Sequence, residues 1–192
     1  MVFIRNELRN AVEAVKPALS KDISKPILTG IHFKFSKGVC RLTACNGYMF
    51  LQEHVLYSRK DEGEFIIPYI NIKTGDEDMR LEFSDEEAVL DYMNGYKFTV
   101  PIIKGKYINI DNAKPGGEPE YSILINPKLL VNALKKINSQ SGLPVRLNFY
   151  KKNEPIVITP LKESETGFYK FILPCREEIK GYMTYKRKEE NV

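Results

Sequence analysis

The sequence contains no tryptophan, only two histidines and only three cysteines, and each scarcity removes a class of function. Cys40, Cys45 and Cys175 are an odd set without CxxC spacing, which suggests neither a disulfide framework nor a zinc site and fits a reducing, cytoplasmic compartment. His32 and His54 each lie in a strand-like stretch, and no nucleophile elbow, HExxH or Walker motif occurs, so both read as ordinary strand histidines and the chain as a non-enzyme. The run Asp76-Glu77-Asp78 lacks EF-hand spacing and reads as a solvated turn. No cofactor or metal is therefore expected. No stretch approaches the ~20 apolar residues of a membrane span, so no membrane partner is expected. The opening MVFIRNELRNAVEAV carries Arg5, Glu7 and Arg9 inside an amphipathic pattern, where a signal peptide needs an uninterrupted apolar run.

What the chain does contain is an ordinary globular composition, 43% hydrophobic and 28% charged over 192 residues, enough for one domain or one domain and a fragment. Residues 4–19 place Leu8, Val12, Val15 and Leu19 at helical spacing, with Arg5, Arg9 and Lys16 on another face. Beyond Lys25-Pro26, alternation takes over. Ile31, Phe33 and Phe35 alternate with His32 and Lys34, a turn falls at Ser36-Lys37-Gly38, and VCRLTA and LQEHVLY follow on either side of Asn46-Gly47. FIIPYINIKTGDED offers an edge strand and a very short helix or turn, and MRLEFS, EAVLDYM and YKFTVPII follow as strands. After the Pro/Gly-rich NIDNAKPGGEPE the order returns: a strand YSILI, a helix from Pro127 to Ile137, then strands PVRLNFY, EPIVITP and GFYKFILP.

The pattern predicts an α+β chain built from three β-α-β-β-β units with antiparallel sheets and few helices. Two half-units form a domain over 1–113, 114–120 is a linker, 121–176 is a third half-unit, and 177–192 is a charged tail. Each copy has one apolar sheet face and one amphipathic helix, too little to close a core alone, so copies should pair about a pseudo-twofold axis.

The net charge of +4 is modest, but its distribution is uneven. From Tyr121 to Asn153 there is no Asp or Glu, while Lys128, Lys135, Lys136, Arg146, Lys151 and Lys152 all fall there. Lys128, Asn132 and Lys135 share one helical stripe opposite Leu130, Leu134 and Ile137, the arrangement of a surface that tracks phosphates without reading bases. On the first helix, Glu13 interrupts the corresponding stripe.

The third unit, ILINPKLLVNALKKI, VRLNFYKKNEPIVITP and YKFILPCR, resembles the C-terminal end of bacterial DNA polymerase III beta subunits, the sliding clamps. KPILTGIHFKF is similar to the first strand of a clamp's middle domain, LTACNGYMFL stands where the family has a Thr-Asp-Gly-aromatic-basic-Leu turn, and IKGKYINIDNAKP is similar to the segment between middle and last domains. Asn46 replaces the family's turn Asp, Met49 its basic residue, Leu129 a tyrosine, and Leu173-Pro174 a terminal Met-Pro.

The resemblance implies a DNA-clamp fold and a processivity factor that holds or encircles duplex DNA without sequence preference. It also implies a hydrophobic pocket for short peptides of DNA polymerase, a clamp loader and repair proteins. Carried over by motif, the pocket wall is Cys45, Gly47, Tyr48, Met49 and Phe50, then Pro115, Asn126, Leu129 and Pro155, with Phe171, Ile172, Leu173 and Pro174. Arg5, Arg9, Lys16, Lys128, Lys135 and Lys136 are the candidate DNA contacts. A clamp-like adaptor or decoy that binds such peptides without encircling DNA is the alternative. Three half-units leave one without a partner, so a homo-oligomer is expected.

Overall fold

Alternation and helical periodicity translate directly into the elements of the computed structural model, which describes residues 1–58, 62–109, 112, 122–138, 145–150, 154–160 and 170–174. The chain divides into two compact units, Met1–Lys114 and Pro115–Val192.

In the first unit β1 (Val2–Ile4) runs straight into α1 (Arg5–Val15), whose Leu8, Ala11, Val12 and Val15 are buried. The helix tightens into one 3-10 turn at Lys16–Ala18, where Pro17 has no N–H to continue an α-helical ladder. A single turn, α2 (Pro26–Thr29), has proline in the favoured first position. The strands β2 (Gly30–Ser36), β3 (Val39–Cys45), β4 (Phe50–Leu56), β5 (Gly63–Pro68), β6 (Asp78–Phe83), β7 (Glu87–Asp91) and β8 (Lys97–Pro101) follow.

They form two antiparallel four-stranded sheets, in the orders β4-β3-β2-β5 and β1-β6-β7-β8. Each sheet contains three consecutive strands of one half-unit and a fourth strand from the other. Thus β5 lies beside β2, with Phe33 opposite Phe65, and β1 lies beside β6, with Phe3 opposite Met79. Single backbone bonds join the sheet margins, from Ser58 N–H to the Val2 carbonyl at 3.0 Å and from Ile103 N–H to the Ile66 carbonyl at 2.8 Å. One continuous core, including Phe3, Leu8, Val12, Phe33, Phe35, Leu42, Leu81 and Leu90, fills the space between α1 and both sheets.

The second unit is smaller. It contains α3 (Pro127–Asn138) and a three-stranded antiparallel sheet of β9 (Val145–Asn148), β10 (Ile156–Pro160) and β11 (Lys170–Ile172), in the order β11-β10-β9. Ile156, Ile158 and Ile172 are its buried hydrophobic residues among those described.

Four expectations need correction. The helix starts at Arg5, because Val2–Ile4 hydrogen-bonds to β6 as a strand that three residues are too few to signal. The second half-unit has no helix: residues 69–77 are irregular and anchored by the buried Ile70 and Ile72. Of the stretch 121–125 read as a strand, residues 122–125 join no ladder among the described residues. Arg5 is not on an exposed basic face, because it is buried with its guanidinium on Glu77, just before β6, and Tyr92, just after β7.

Candidate functional site

The hairpin between β3 and β4 closes with Cys45 paired to Phe50, leaving the four residues Asn46 to Met49 to make the turn. The Asn46 side-chain oxygen accepts the amides of Tyr48 at 3.0 Å and Met49 at 2.9 Å, while its own N–H donates to the Met49 carbonyl at 3.1 Å. Gly47 has φ +90°, a conformation that side chains disfavour. The turn is therefore fixed by Asn46 and Gly47, and that fixing holds Tyr48, Met49 and Phe50 outward. Tyr48 is 100% exposed and Met49 and Phe50 are each 40% exposed, so none of the three fills the core.

Cys45 departs from its expected place. It is buried beneath the turn with Ile66 and Tyr107, and the half-buried Ile27 and Ile103 pack against this cluster. These four supporting residues were not among the candidates, because they come from α2, β5 and the stretch after β8, which no single motif links. His32 stacks on Tyr107 with ring centroids 4.7 Å apart, and its Nε2 lies 3.3 Å from a Glu64 carboxylate oxygen. Burial lowers the pKa of His32 and the Glu64 carboxylate opposes that shift. Both interactions are those of a packed strand histidine.

In the second unit the Asn126 side chain serves the helix, its Oδ1 accepting the Lys128 amide at 3.0 Å as an N-cap. Leu129 and Leu173 are exposed and Pro155 and Pro174 are half-buried. Ile172 is buried opposite Ile156, so the two-residue period of β11 turns it into the core and away from any surface pocket. Pro115 and the Phe171 side chain fall outside the described residues.

The six candidate DNA contacts separate sharply. Arg5 forms an ion pair with Glu77 at 3.0 Å, donates to the Tyr92 carbonyl at 3.2 Å and lies 5.0 Å from the centre of the Tyr92 ring. Lys16 donates to the Tyr69 hydroxyl at 2.9 Å and lies 3.5 Å from Glu13, and the Tyr69 hydroxyl in turn donates to Glu13. The tyrosine hydrogen bond, ahead of the mutual charge attraction, raises the pKa of Lys16 and lowers that of Glu13. Arg9 is half-buried, and the exposed Glu7, Asp76 and Glu77 lie on or beside this helix, Asp76 accepting a hydrogen bond from Asn6. The α1 surface is thus not a free cationic stripe.

By contrast, Lys128 and Lys135 on α3 are exposed, and the Lys136 side chain is outside the described residues. A lysine missed from the sequence joins them. Lys170 of β11 donates to the Ala133 carbonyl at 2.9 Å and lines, with Asn132 and Lys135, a shallow depression of about 550 Å³. Its 35-residue distance from Lys135 along the chain concealed this proximity.

Because Arg5 is a structural cation, Arg5→Ala is expected to cost about 2 kcal/mol of stability, as the Tyr92 carbonyl loses its donor and a cavity opens. Denaturant unfolding measures the loss. DNA retention by the folded variant should match wild type, whereas weaker retention at unchanged stability would make Arg5 a contact after all.

Among the described residues no helix is long and apolar enough to cross a membrane, and no three His, Cys, Asp or Glu converge as a metal site. Residues 3–109 match the family model for the DNA polymerase III beta subunit, central domain. No curated protein matches the sequence. Among solved structures the chain is similar to the DNA polymerase III beta chain of Streptococcus pneumoniae, with a TM-score of 0.80 and 18% identity, covering 92% of this chain and 49% of that one. It is similar to the DNA polymerase sliding clamp of Bacillus subtilis, with a TM-score of 0.77 and 16% identity over 91% of this chain and 48% of that one. A Pseudomonas aeruginosa sliding clamp bound to griselimycin is similar at a TM-score of 0.77 and 15% identity, covering 91% of this chain and 49% of that one. The chain spans about half the length of these clamps. Their likeness shows the fold, an α+β DNA clamp with antiparallel sheets. The family model reaches from β1 past β8, more than half of the 192 residues, and the chain therefore belongs to the DNA polymerase III beta subunit family.

Proposed function

We propose that the protein is a sliding-clamp-like processivity factor that holds or encircles duplex DNA without sequence preference and tethers partner proteins, a DNA polymerase among them, through hydrophobic peptide-binding surface. The observation that carries this reading is the Asn46 turn, which fixes three adjacent large side chains, Tyr48, Met49 and Phe50, in contact with solvent. A tightly bonded turn that exposes an aromatic-Met-aromatic run stabilises nothing by hiding it, whereas such side chains make adaptable anchors for a short apolar peptide. On the second unit Leu129, Pro155, Leu173 and Pro174 are assigned the same role, and Lys128, Lys135 and Lys136 are assigned to phosphate contact. Chemistry is no part of the proposal.

A second reading, an adaptor that binds clamp-binding peptides without encircling DNA, is favoured by one observation: Arg5 of α1 is engaged by Glu77 and Tyr92, and Lys16 just beyond the helix by Glu13 and Tyr69. Titration of a fluorescent peptide carrying a Gln and a Leu-Phe pair tests the tethering surface common to both. Phe50→Ala and Leu173→Asp should each weaken binding by about tenfold to thirtyfold, the cost of losing one anchor, with circular dichroism unchanged. Full affinity in both variants would refute a peptide surface at these positions, and unfolding of both would make them structural residues. Retention on circular duplex DNA separates the two readings, since the adaptor binds peptide but is not retained.

A further inference from the structure

The two sheets of the first unit obey one rule. The strand that precedes a half-unit's helix or loop never joins the sheet that follows it: β1 passes over β2, β3 and β4 to pair with β6, and β5 passes over β6, β7 and β8 to pair with β2. Each half therefore donates one strand and receives one. Among the described residues, the third half-unit has both halves of that exchange unfilled. Its sheet has three described strands where those of the first unit have four, and none of the described residues lies beside the outer edge of β9, the edge at which β2 and β6 receive their fourth strand. Residues 122–126, which precede α3 as β1 precedes α1, pair with no described strand.

Burial follows the same pattern. In the first unit, Leu81 and its ladder partner Leu90 are both buried, whereas Leu147 of β9 is 39% exposed although its ladder partner Ile158 is fully buried. Counting back from each helix start sets Ile123 and Ile125 in the places of Met1 and Phe3. The latter are buried, while Ile123 and Ile125 are only half-buried.

We propose that two copies of this chain complete each other's third half-unit by reciprocal strand exchange, residues 122–126 of each adding antiparallel to the β9 edge of the other. A second copy is the occupant because the open edge and a strand of the kind that fills it occur in the same unit, so one twofold operation satisfies both and closes the assembly. The first unit supplies the register. Val2 stands opposite Arg80, and Leu81 is paired with Leu90 as Leu147 is with Ile158, so Leu124 should stand opposite Arg146 of the other copy. Met1 and Leu81 exchange both backbone hydrogen bonds, at 2.9 and 2.8 Å, which makes Val2–Arg80 the neighbouring non-hydrogen-bonded pair. Such pairs hold their Cα atoms about 4.5 Å apart, within reach of a disulfide. This dimer depends on strand order and edge burial, and it requires neither peptide nor DNA binding.

The test uses the full chain in a Cys175→Ser background, Cys40 and Cys45 being buried. Light scattering at micromolar concentration should give twice the mass of one chain. Mixing separately prepared Leu124→Cys and Arg146→Cys proteins under mild oxidation should give a disulfide joining one chain of each kind, with little crosslinking when Leu56→Cys, an exposed position on β4, replaces Leu124→Cys. A one-chain mass overturns the proposal, whatever else then covers β9. A doubled mass without the mixed disulfide assigns the contact to another surface and also overturns it. Equal crosslinking by the Leu56→Cys control would reduce the disulfide to random collision and would likewise overturn the exchange.

Discussion

Replacing Lys128, Lys135 and Lys136 with glutamate is expected to abolish retention of the protein on duplex DNA at moderate salt. If the α3 stripe follows phosphates, binding is driven by release of condensed counterions, and each contact contributes about 0.9 to the slope of log K against log salt. At roughly 0.1 M salt one such contact contributes about eightfold, so loss of three removes several hundredfold, before any repulsion from the new carboxylates. The wild-type salt slope should also fall by about three. Sequence composition of the DNA should not matter, because no base contact is invoked. The complementary change, Arg9→Glu on α1 with Lys16→Glu in the turn that follows it, should do far less, as Lys16 is already committed to Tyr69 and Glu13. A triple variant that binds like wild type at low salt would reduce the α3 stripe to a soluble helix face and leave the adaptor reading standing.

The contrast between the two helices was legible in the sequence, although reading charges by type alone hid it. At about 100° per residue, Lys128, Asn132 and Lys135 of α3 lie roughly opposite Leu130, Leu134 and Ile137, so an outward cationic stripe follows from spacing. On α1 the same geometry places Arg5 only about 20° around the helix from Val12, on the shoulder of the apolar face, where a long side chain is drawn inward if a partner is supplied. Glu77 and the Tyr92 carbonyl supply it, from positions 72 and 87 residues later, and no local pattern announces them.

The strands of the sheets were legible for the opposite reason. Ile31, Phe33 and Phe35 alternate over enough residues to declare an inward face, and Asn46-Gly47 declared the turn. The exchange of first strands between half-units was not legible, because β1 has three residues and its identity as a strand depends entirely on β6, far away in the chain. The exposure of Tyr48 and Phe50 lay between these cases. Alternation alone permits Phe50 to face either way, and only the pairing of Cys45 with Phe50 across a four-residue turn decides it.

Phe35→Ala is expected to destabilise the first unit by about 3–5 kcal/mol, the range for removing a buried aromatic ring from a packed core. Phe35 is 2% exposed and is one of the rings through which the two sheets meet, beside the Phe65–Phe83 and Phe3–Tyr57 pairs. On its own sheet it touches Phe33, Phe65 and Tyr57, the last edge-on with centroids 5.3 Å apart. From the other sheet, Phe3 of β1 stands 6.3 Å away and Phe83 of β6 5.8 Å away. Truncation therefore removes contacts on both sides of the inter-sheet seam, and the surrounding rings are too rigid to collapse into the space. Phe35→Leu keeps most of the volume and should cost well under half as much. Leu56→Ala, on a side chain that is 70% exposed, should change stability by no more than about 0.5 kcal/mol. Because the chain has no tryptophan, unfolding by denaturant is followed through tyrosine fluorescence and far-ultraviolet circular dichroism, and Tyr57 lies in contact with the altered site. Peptide binding through Tyr48, Met49 and Phe50 should be lost only in step with unfolding, because their hairpin is carried by the sheet that Phe35 supports. A loss below about 1 kcal/mol for Phe35→Ala would mean that the two sheets are held together elsewhere, and that the aromatic cluster fills space without joining them.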